Sequence, residues 1–534
     1  MVLGLNAHSN SLDQPESTTY PFYRALQHVS RDPRSRSRCR LVESGHRAEP
    51  LYKKPVDIPG YGSVQGKAAL TAAAADYVTD WENISFFGGI PFAADTSGAN
   101  RWRDPQPAQP WKGTLNATSF GPICPITLSV LANYTQSEDC LNLNIWTPAT
   151  STEDKLPVAI WSYGAGTAPP QTTYNGAGVA GKGIIFVSYN YRNGVFGFMA
   201  DAELTETTGR NASGNWGILD QYAAVKWVHE NIAAFGGDPD HISVIGQSFG
   251  AAATYHIVNS ELTADLGIVS AISESGVRSP SDPNTGVFEC AYLSLNEAEA
   301  IGKEIIASLN VSSIAAARAI DTETLLEQTS LYSLEVKPVL DYYAIPDTYI
   351  NTLARGAGNK VPYITGNNAN EDGASATVTT TVAAYEQSLN STYGDFASRF
   401  LELYPAANDT QAGEQEDEIV RDMFRVSSWQ YMNGFAHSAD QVDTYTYYWN
   451  YGSAAHASEI VYVLGNLYWA NFMKTSNPNT GGSYNNGSLP ANWLANSPAR
   501  NETFLVGAEY EMMQTASQER VELILDYFAA QAPY

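Results

Sequence analysis

The chain has 534 residues, of which 44% are hydrophobic and 11% aromatic, and a formal net charge of -26. That acidity argues against nucleic acid or anionic membranes as partners, and we read the charge itself as a solubility feature. A length of this order allows one large α/β enzyme domain as readily as two smaller ones.

In chain order, residues 1–56 carry nine of the 30 basic residues, with the run Arg31-Asp32-Pro33-Arg34-Ser35-Arg36-Ser37-Arg38-Cys39-Arg40, and show little apolar periodicity. The expectation is a mobile basic tail followed by a single domain over 57–534. Met1-Val2-Leu3-Gly4-Leu5 is too short for the apolar region of a signal peptide, and no later stretch is long and apolar enough to span a bilayer. Gly60–Gly66 and Ile84–Pro91 read as strands of an opening meander, with the proline-spaced connection RWRDPQPAQPW after them. Leu141–Thr147, Val158–Tyr163, Ile184–Tyr191 and Ile242–Ile245 follow as sheet strands, the last three continuously apolar as in a sheet covered on both faces. Val361–Thr365 and Thr444–Asn450 are the later strands, with helical patterns between them. No internal repeat and no low-complexity linker interrupts this order, which predicts one α/β sheet with inserted helices.

The most informative stretch runs from Gly214 to Gly250. Its first half predicts a helix with Ala224, Val225, Val228 and Ile232 on one face, stopped by Gly236-Gly237 and Pro239. Its second half is strand, then Gly246-Gln247-Ser248-Phe249-Gly250, then the small-residue helix Ala251-Ala252-Ala253-Thr254. A G-x-S-x-G between strand and helix throws the serine hydroxyl clear of the backbone, as a nucleophile requires. No CxxC pair, HExxH or Walker-type loop is present, so no metal and no cofactor is expected.

These residues resemble the type B carboxylesterases, the family of the cholinesterases and several fungal lipases. GNWGILDQYAAVKWVHENIAAFGGDP and GQSFG carry the resemblance. So do FFGGIPFA (Phe86–Ala93), SEDCLNLNIWTP (Ser137–Pro148), YNYRNGVFGF (Tyr189–Phe198) and AAHASEIVYVLGN (Ala454–Asn466), in that order, and it extends from about Ile58 to the C-terminus. It implies the α/β-hydrolase fold and a serine esterase acting on a small-molecule ester, with a fungal, secreted member as the expectation.

In this fold the catalytic order is serine, acid, histidine. That order sets aside His8, His28, His46, His229, His241 and His256, and leaves His437 and His456. His437 ends a helical stretch, whereas His456 follows an aromatic strand in a small-residue loop and matches the family's catalytic base. For the acid, counting forward from Gly366 selects Glu371, and counting back from Gly373 selects Asp372; Glu371 fits without a gap. Tyr163-Gly164-Ala165-Gly166 stands where the family has a triple-glycine turn, so the amides of Ala165, Gly166 and Phe249 are the implied oxyanion donors. Ala165 replaces a glycine and Phe249 an alanine, and both departures would narrow the pocket. Ser275 resembles a serine that supports the acid and the histidine by hydrogen bonding. Glu138, Asp139 and Arg192 lie in motifs that hold internal ion pairs. The tyrosines and tryptophan of Tyr445, Tyr447, Tyr448 and Trp449 read as core.

The resemblance also pairs Cys124 with Cys140 around 15 residues, a bridge worth about 3 kcal/mol in the chain-entropy model. Cys39 and Cys290 are left without an assigned partner. Sequons at Asn83, Asn116, Asn133, Asn211, Asn310, Asn390, Asn408, Asn486 and Asn501 favour glycosylation and export. In the family's lipases the first disulfide loop is a long apolar lid. Here it is short and carries a sequon, so a short-chain or soluble-ester esterase is expected, with a lipase or a catalytically silent binding protein as alternatives.

Overall fold

The apolar runs become the inner strands of one large sheet. In the computed structural model, which describes residues 49–71, 78, 81–287, 289–371, 373–375, 379–483 and 488–534, that sheet has eleven strands. They are β1 (Lys67–Ala68), β2 (Ser85–Pro91), β3 (Asn142–Thr147), β4 (Leu156–Ser162), β5 (Ile185–Tyr189), β6 (Gly237–Gln247), β7 (Ile268–Glu274), β8 (Tyr363–Asn368), β9 (Thr444–Trp449), β10 (Glu502–Val506) and β11 (Tyr510–Gln514). Their order is β11-β10-β9-β8-β7-β6-β4-β5-β3-β2-β1. The seven strands from β10 to β5 are mutually parallel, and antiparallel strands lie at either side. This is the α/β-hydrolase architecture. Every residue of β5, β8 and β9 is buried, as in strands covered on both faces.

Helix α1 (Trp216–Asn231) buries nearly its whole circumference rather than the single face that its sequence suggested. It is packed from several sides, and Gly236, at φ 80°, ends the turn after it and feeds β6. Helix α2 (Phe249–Asn259) follows β6 directly, and its residues after Phe249 are buried against the sheet. The long helix α3 (Asp409–Ser438) is capped by Asn408, whose side chain accepts the amide of Gln411.

Three expectations shift. The expected tail extends to residue 56, but Leu51–Lys53 form a helical turn, the Tyr52 amide donates to Ser85 Oγ (3.1 Å), and Val56–Ile58 are a strand with Val56 and Ile58 in the core. These apolar side chains draw residues before 57 onto the folded body; residues 1–48, Cys39 included, lie outside the described residues. The opening strands are not one meander, because Gly62–Gln65 joins Val56–Ile58 and Thr114–Asn116 in a separate three-stranded sheet. Strand β7, which the reading of apolar runs passed over, lies in the centre. Its serines at 270 and 273 interrupt the apolar pattern and are satisfied by Ser243 and Tyr363.

Candidate active site

Strand β6 ends at Gln247, and Ser248 takes φ 58°, ψ -127° before α2 begins. A non-glycine residue reaches this backbone region only where the surroundings impose it. Here the glycines on either side explain how they can: a Cβ at Gly246 would lie 2.2 Å from the Gly250 carbonyl oxygen, and one at Gly250 would lie 1.9 Å from that of Ser162. Strand, turn and helix therefore close on one another with no room for side chains. The Ser248 amide donates to the Glu274 carbonyl (2.9 Å), which ties the turn to β7.

Two strands further along the sheet, the loop after β8 carries Glu371, and the loop after β9 carries His456. Backbone bonds lace these loops together, from Asn370 N to Ala454 O (2.9 Å) and from His456 N to Asn370 O (3.1 Å). Arg421 on α3 braces the first of these loops by donating to Ala369 O (2.9 Å) and Asn370 Oδ1 (2.8 Å). In this frame His456 Nδ1 lies 2.5 Å from Glu371 Oε2, and Glu371 Oε1 accepts the Asn368 amide at 2.7 Å. Glu371 is thus the carboxylate that meets the histidine; Asp372 lies outside the described residues. The other ring nitrogen, Nε2, lies 3.2 Å from Gln247 Nε2, the side chain immediately before Ser248. A neutral ring accepts from that amide, and a protonated ring would face the same side chain's oxygen instead.

The remaining described histidines are occupied elsewhere. His229 Nδ1 meets Pro239 O (3.0 Å), His241 Nε2 meets Met473 O (3.2 Å), and His437 Nδ1 lies 3.4 Å from Gln441 Nε2. His256 pairs with the Tyr349 hydroxyl (2.8 Å), and burial lowers its ring to about 3.

The turn after β4 lies against the serine. A Cβ on Gly164 would be 3.0 Å from Ser248 Cβ. Gly166 has φ 73°, whereas Ala165 is not among the residues with positive φ. The left-handed step therefore falls on the glycine, and the alanine sits where an L side chain is tolerated. Phe249 is the first residue of α2, and the amides of a first helical turn have no intrahelical carbonyl to bond. Phe249 is 46% exposed, far more than its helical neighbours.

Electrostatics around the imidazole are acidic. Burial lowers its pKa, but the hydrogen bond and charge of Glu371, joined by the charges of Glu289 and Glu459, outweigh burial and raise it to about 9. Glu459, three residues beyond His456, is raised to about 7 by burial and by the Glu371 charge, and it accepts a bond from the Asn368 side chain. Glu274 is pushed well above the carboxylate range by burial and by Glu459, and takes the Trp469 indole N–H at 2.8 Å.

Ser275 differs from expectation. Its hydroxyl is buried without a hydrogen bond to Glu371 or His456, and the partners of the two Glu371 oxygens are the Asn368 amide and His456 Nδ1. Arg192 forms a two-bond pair with Asp220 (2.7 Å each), and Glu138 pairs with Arg101 (2.8 and 2.5 Å). Asp139 takes no such pair among the described residues. It is exposed, and its amide donates to Ser137 Oγ (3.0 Å). Cys124 and Cys140 form a disulfide with Cα atoms 5.0 Å apart, and Cys290 is a buried free thiol whose Sγ meets Gly276 O (3.1 Å). Tyr445, Tyr447, Tyr448 and Trp449 are core residues.

Beside the serine turn lies an apolar cavity of about 220 Å³ that touches Ala165, Gly166 and Phe249, with Leu128 from the disulfide loop and Leu334 at its walls. Sequence reading missed Gln247, Asn368, Glu459 and Glu289. The first stands inside the pentapeptide and the next two stand three residues from Glu371 and His456, so spacing could have signalled them; Glu289 has no such marker.

The family model described as the carboxylesterase family matches residues 53–524. Among curated proteins the chain is similar to the fumonisin B1 esterase of Sphingopyxis macrogoltabida, at 33% identity over 411 residues and 72% of each chain. It is also similar to the para-nitrobenzyl esterase of Bacillus subtilis, at 30% identity over 512 residues, 86% of this chain and 96% of that one. A solved PNB esterase structure superposes with a TM-score of 0.69 at 25% identity, covering 88% of this chain and 99% of the other. A match over most of the sequence, the superposition on a solved esterase and a serine turn with a histidine–glutamate pair beside it lead to one assignment: the chain belongs to the carboxylesterase family and is a carboxylic ester hydrolase.

Proposed function

We propose that Ser248 is the nucleophile, His456 its general base and Glu371 the acid that orients the base. Ser248 Oγ attacks the ester carbonyl while His456 Nε2 takes its proton. The amides of Ala165, Gly166 and Phe249 stabilise the oxyanion, and their backbone geometry needs no reorganisation as charge develops. His456 then protonates the departing alcohol, leaving an acyl-serine, and water repeats the sequence to release the acid. The single observation that carries this reading is the 2.5 Å contact of His456 Nδ1 with Glu371, with Nε2 turned to the residue before Ser248. That pairing holds the tautomer whose free lone pair faces the serine turn. During the reaction Nε2 exchanges the Gln247 amide for the serine hydroxyl.

The cavity volume supports a preference for short-chain or soluble esters, since ligand pockets for larger molecules run to roughly 300–1,000 Å³. The lipase alternative has one observation of its own: Leu331 and Leu334 are each 84% exposed, so the wall of the cavity continues as apolar surface. We read residues from about 49 onward as one catalytic domain. We also assign the protein to the secretory route, as suggested by the Cys124–Cys140 bridge and by exposed sequons at Asn116, Asn133, Asn211, Asn310, Asn390 and Asn408; Asn486 lies outside the described residues.

Labelling with a fluorophosphonate probe tests the central assignment. One label on Ser248, lost in Ser248→Ala, is the expected result. An unlabelled protein that hydrolyses no p-nitrophenyl ester would favour the silent binding protein.

A further inference from the structure

Strand β8 ends at Asn368, and this one residue is bonded to both halves of the histidine–glutamate pair. Its backbone amide donates to Glu371 Oε1 (2.7 Å), which leaves Oε2 for His456 Nδ1. Its side-chain Nδ2 donates to the carbonyl of Ala455 (2.7 Å), the residue immediately before His456, and to Glu459 Oε2, three residues after it. Both acceptors face the nitrogen, which fixes the orientation of the amide: turned over, it would set its oxygen against a carbonyl and a carboxylate. Asn368 is buried and is not among the residues that line the cavity, so it acts without touching an ester held there. Another side-chain tie between the two loops, from Asn370 Nδ2 to Ser453 O (2.6 Å), is exposed, and Arg421 holds only the loop that carries Glu371.

Resting on the assignment of Ser248, Glu371 and His456 above, we infer that Asn368 is a positioning residue of the esterase, whose side chain fixes the His456 loop against Glu371 and holds the Glu459 carboxylate beside the pair. The bond to Ala455 acts on geometry. A carbonyl tied down directly before the histidine restricts where the ring stands, and a displacement of about 1 Å in a reacting group costs about 10²-fold in rate. The bond to Glu459 acts on charge. Nδ2–H favours the ionised form of Glu459, against burial and the charge of Glu371, and the Glu459 charge is one of three that raise the His456 ring. Glu274, Tyr447 and Tyr174 also face this carboxylate, and Glu371 and Glu289 act on the ring. Without the amide, Glu459 keeps its proton to higher pH, and a neutral Glu459 no longer raises the ring. His456 then gives up its proton at lower pH.

Asn368→Leu keeps the size of the side chain and removes both of its bonds. The measurement is kcat/KM for p-nitrophenyl acetate across the titration of the ring, with enzyme counted as fluorophosphonate-labelled serine so that a misfolded fraction does not enter. Two changes are expected together: a plateau lower by about 10–100-fold, and a pH limb moved to lower pH by about half a unit or more. Glu459→Gln should move the limb in the same direction, and adding Asn368→Leu to it should lower the plateau without a further shift. Asn367→Leu is the control for packing. Asn367 is as buried as Asn368 but points to the other face of β8, where its Oδ1 accepts from Ser428 of α3 (2.7 Å), and its loss should lower the melting temperature and leave the limb in place. Asn368→Asp, of the same shape, carries the test if the leucine variant does not fold: it sets an acceptor against Ala455 O, so its plateau should fall as far, and a wild-type plateau would overturn the inference. In Asn368→Leu, an unmoved plateau or an unmoved limb overturns it, the second because a packing role would lower the plateau alone. Retention of turnover in Ser248→Ala would instead overturn the assignment beneath it.

Discussion

His456 Nδ1 and Glu371 Oε2 lie 2.5 Å apart although 85 positions separate the residues in sequence. The contact exists because β8 and β9 are parallel neighbours in register, from Tyr363 beside Thr444 to Asn368 beside Trp449. Their loops therefore leave the same edge of the sheet side by side.

Glu371→Gln keeps the shape and removes the charge. Loss of kcat by about 10²–10⁴-fold is expected, with little change in KM, because the wrong tautomer and an unsupported imidazolium both penalise the transition state. Proton NMR of the ring should show its pKa falling from the raised value. An unchanged titration would mean that Glu371 does not govern His456.

Ser248→Ala should lower p-nitrophenyl ester turnover by at least about 10⁴-fold while leaving the melting temperature nearly unchanged, since the serine hydroxyl is not part of the packing that holds the turn. Steady-state kinetics and a thermal scan on the same preparation check both halves.

Gly250→Ala should be costly to fold rather than to catalyse. Its Cβ would stand 1.9 Å from the Ser162 carbonyl, so α2 must move off β4, and overpacking of this kind costs at least about 1–3 kcal/mol. A shifted denaturation midpoint is the readout; native-like stability would contradict the close approach.

Phe249→Ala should widen substrate choice, since a half-exposed ring at the cavity edge is removed. Relative kcat/KM for branched or aromatic acyl groups should rise about tenfold or more over acetate. A flat profile across acyl groups would show that the ring does not border the substrate.

The pH dependence follows from two raised groups. His456 must be neutral to accept a proton, so kcat/KM should climb with pH past the ordinary imidazole range and approach its plateau near the raised value of about 9. Stability should run the other way. His456 binds its proton more tightly folded than unfolded, a contribution present below pH about 6.5 and lost as pH rises through about 9. Glu459, raised to about 7, adds a loss that begins above the ordinary carboxylate range. Melting temperature should therefore fall from pH 6 to pH 9, and a rise over that interval would contradict both shifts.

Much of this was legible in the residues. Continuous apolar runs announce β4, β5 and β6 because strands buried on both faces have no solvent side to mark with polar residues. The pentapeptide announces its turn because only glycine fits the contacts of 246 and 250. Strand β7 was hidden because its serines find partners across the sheet, a pairing visible only once Ser243 and Tyr363 stand opposite them. Ser275 stands at the spacing of a supporting serine, but its hydroxyl makes no bond to Glu371 or His456, which only the packed side chains reveal. Glu289 was invisible for a related reason: a carboxylate in a sequence reads as surface until packing closes over it.

Serine, glutamate and histidine each arrive at the end of a separate strand, and the helices between β8 and β9 (residues 382–438) are spliced into one of the intervening connections. That insertion can therefore be exchanged or lengthened without moving the three strand ends, provided an arginine placed like Arg421 still reaches the loop that carries Glu371.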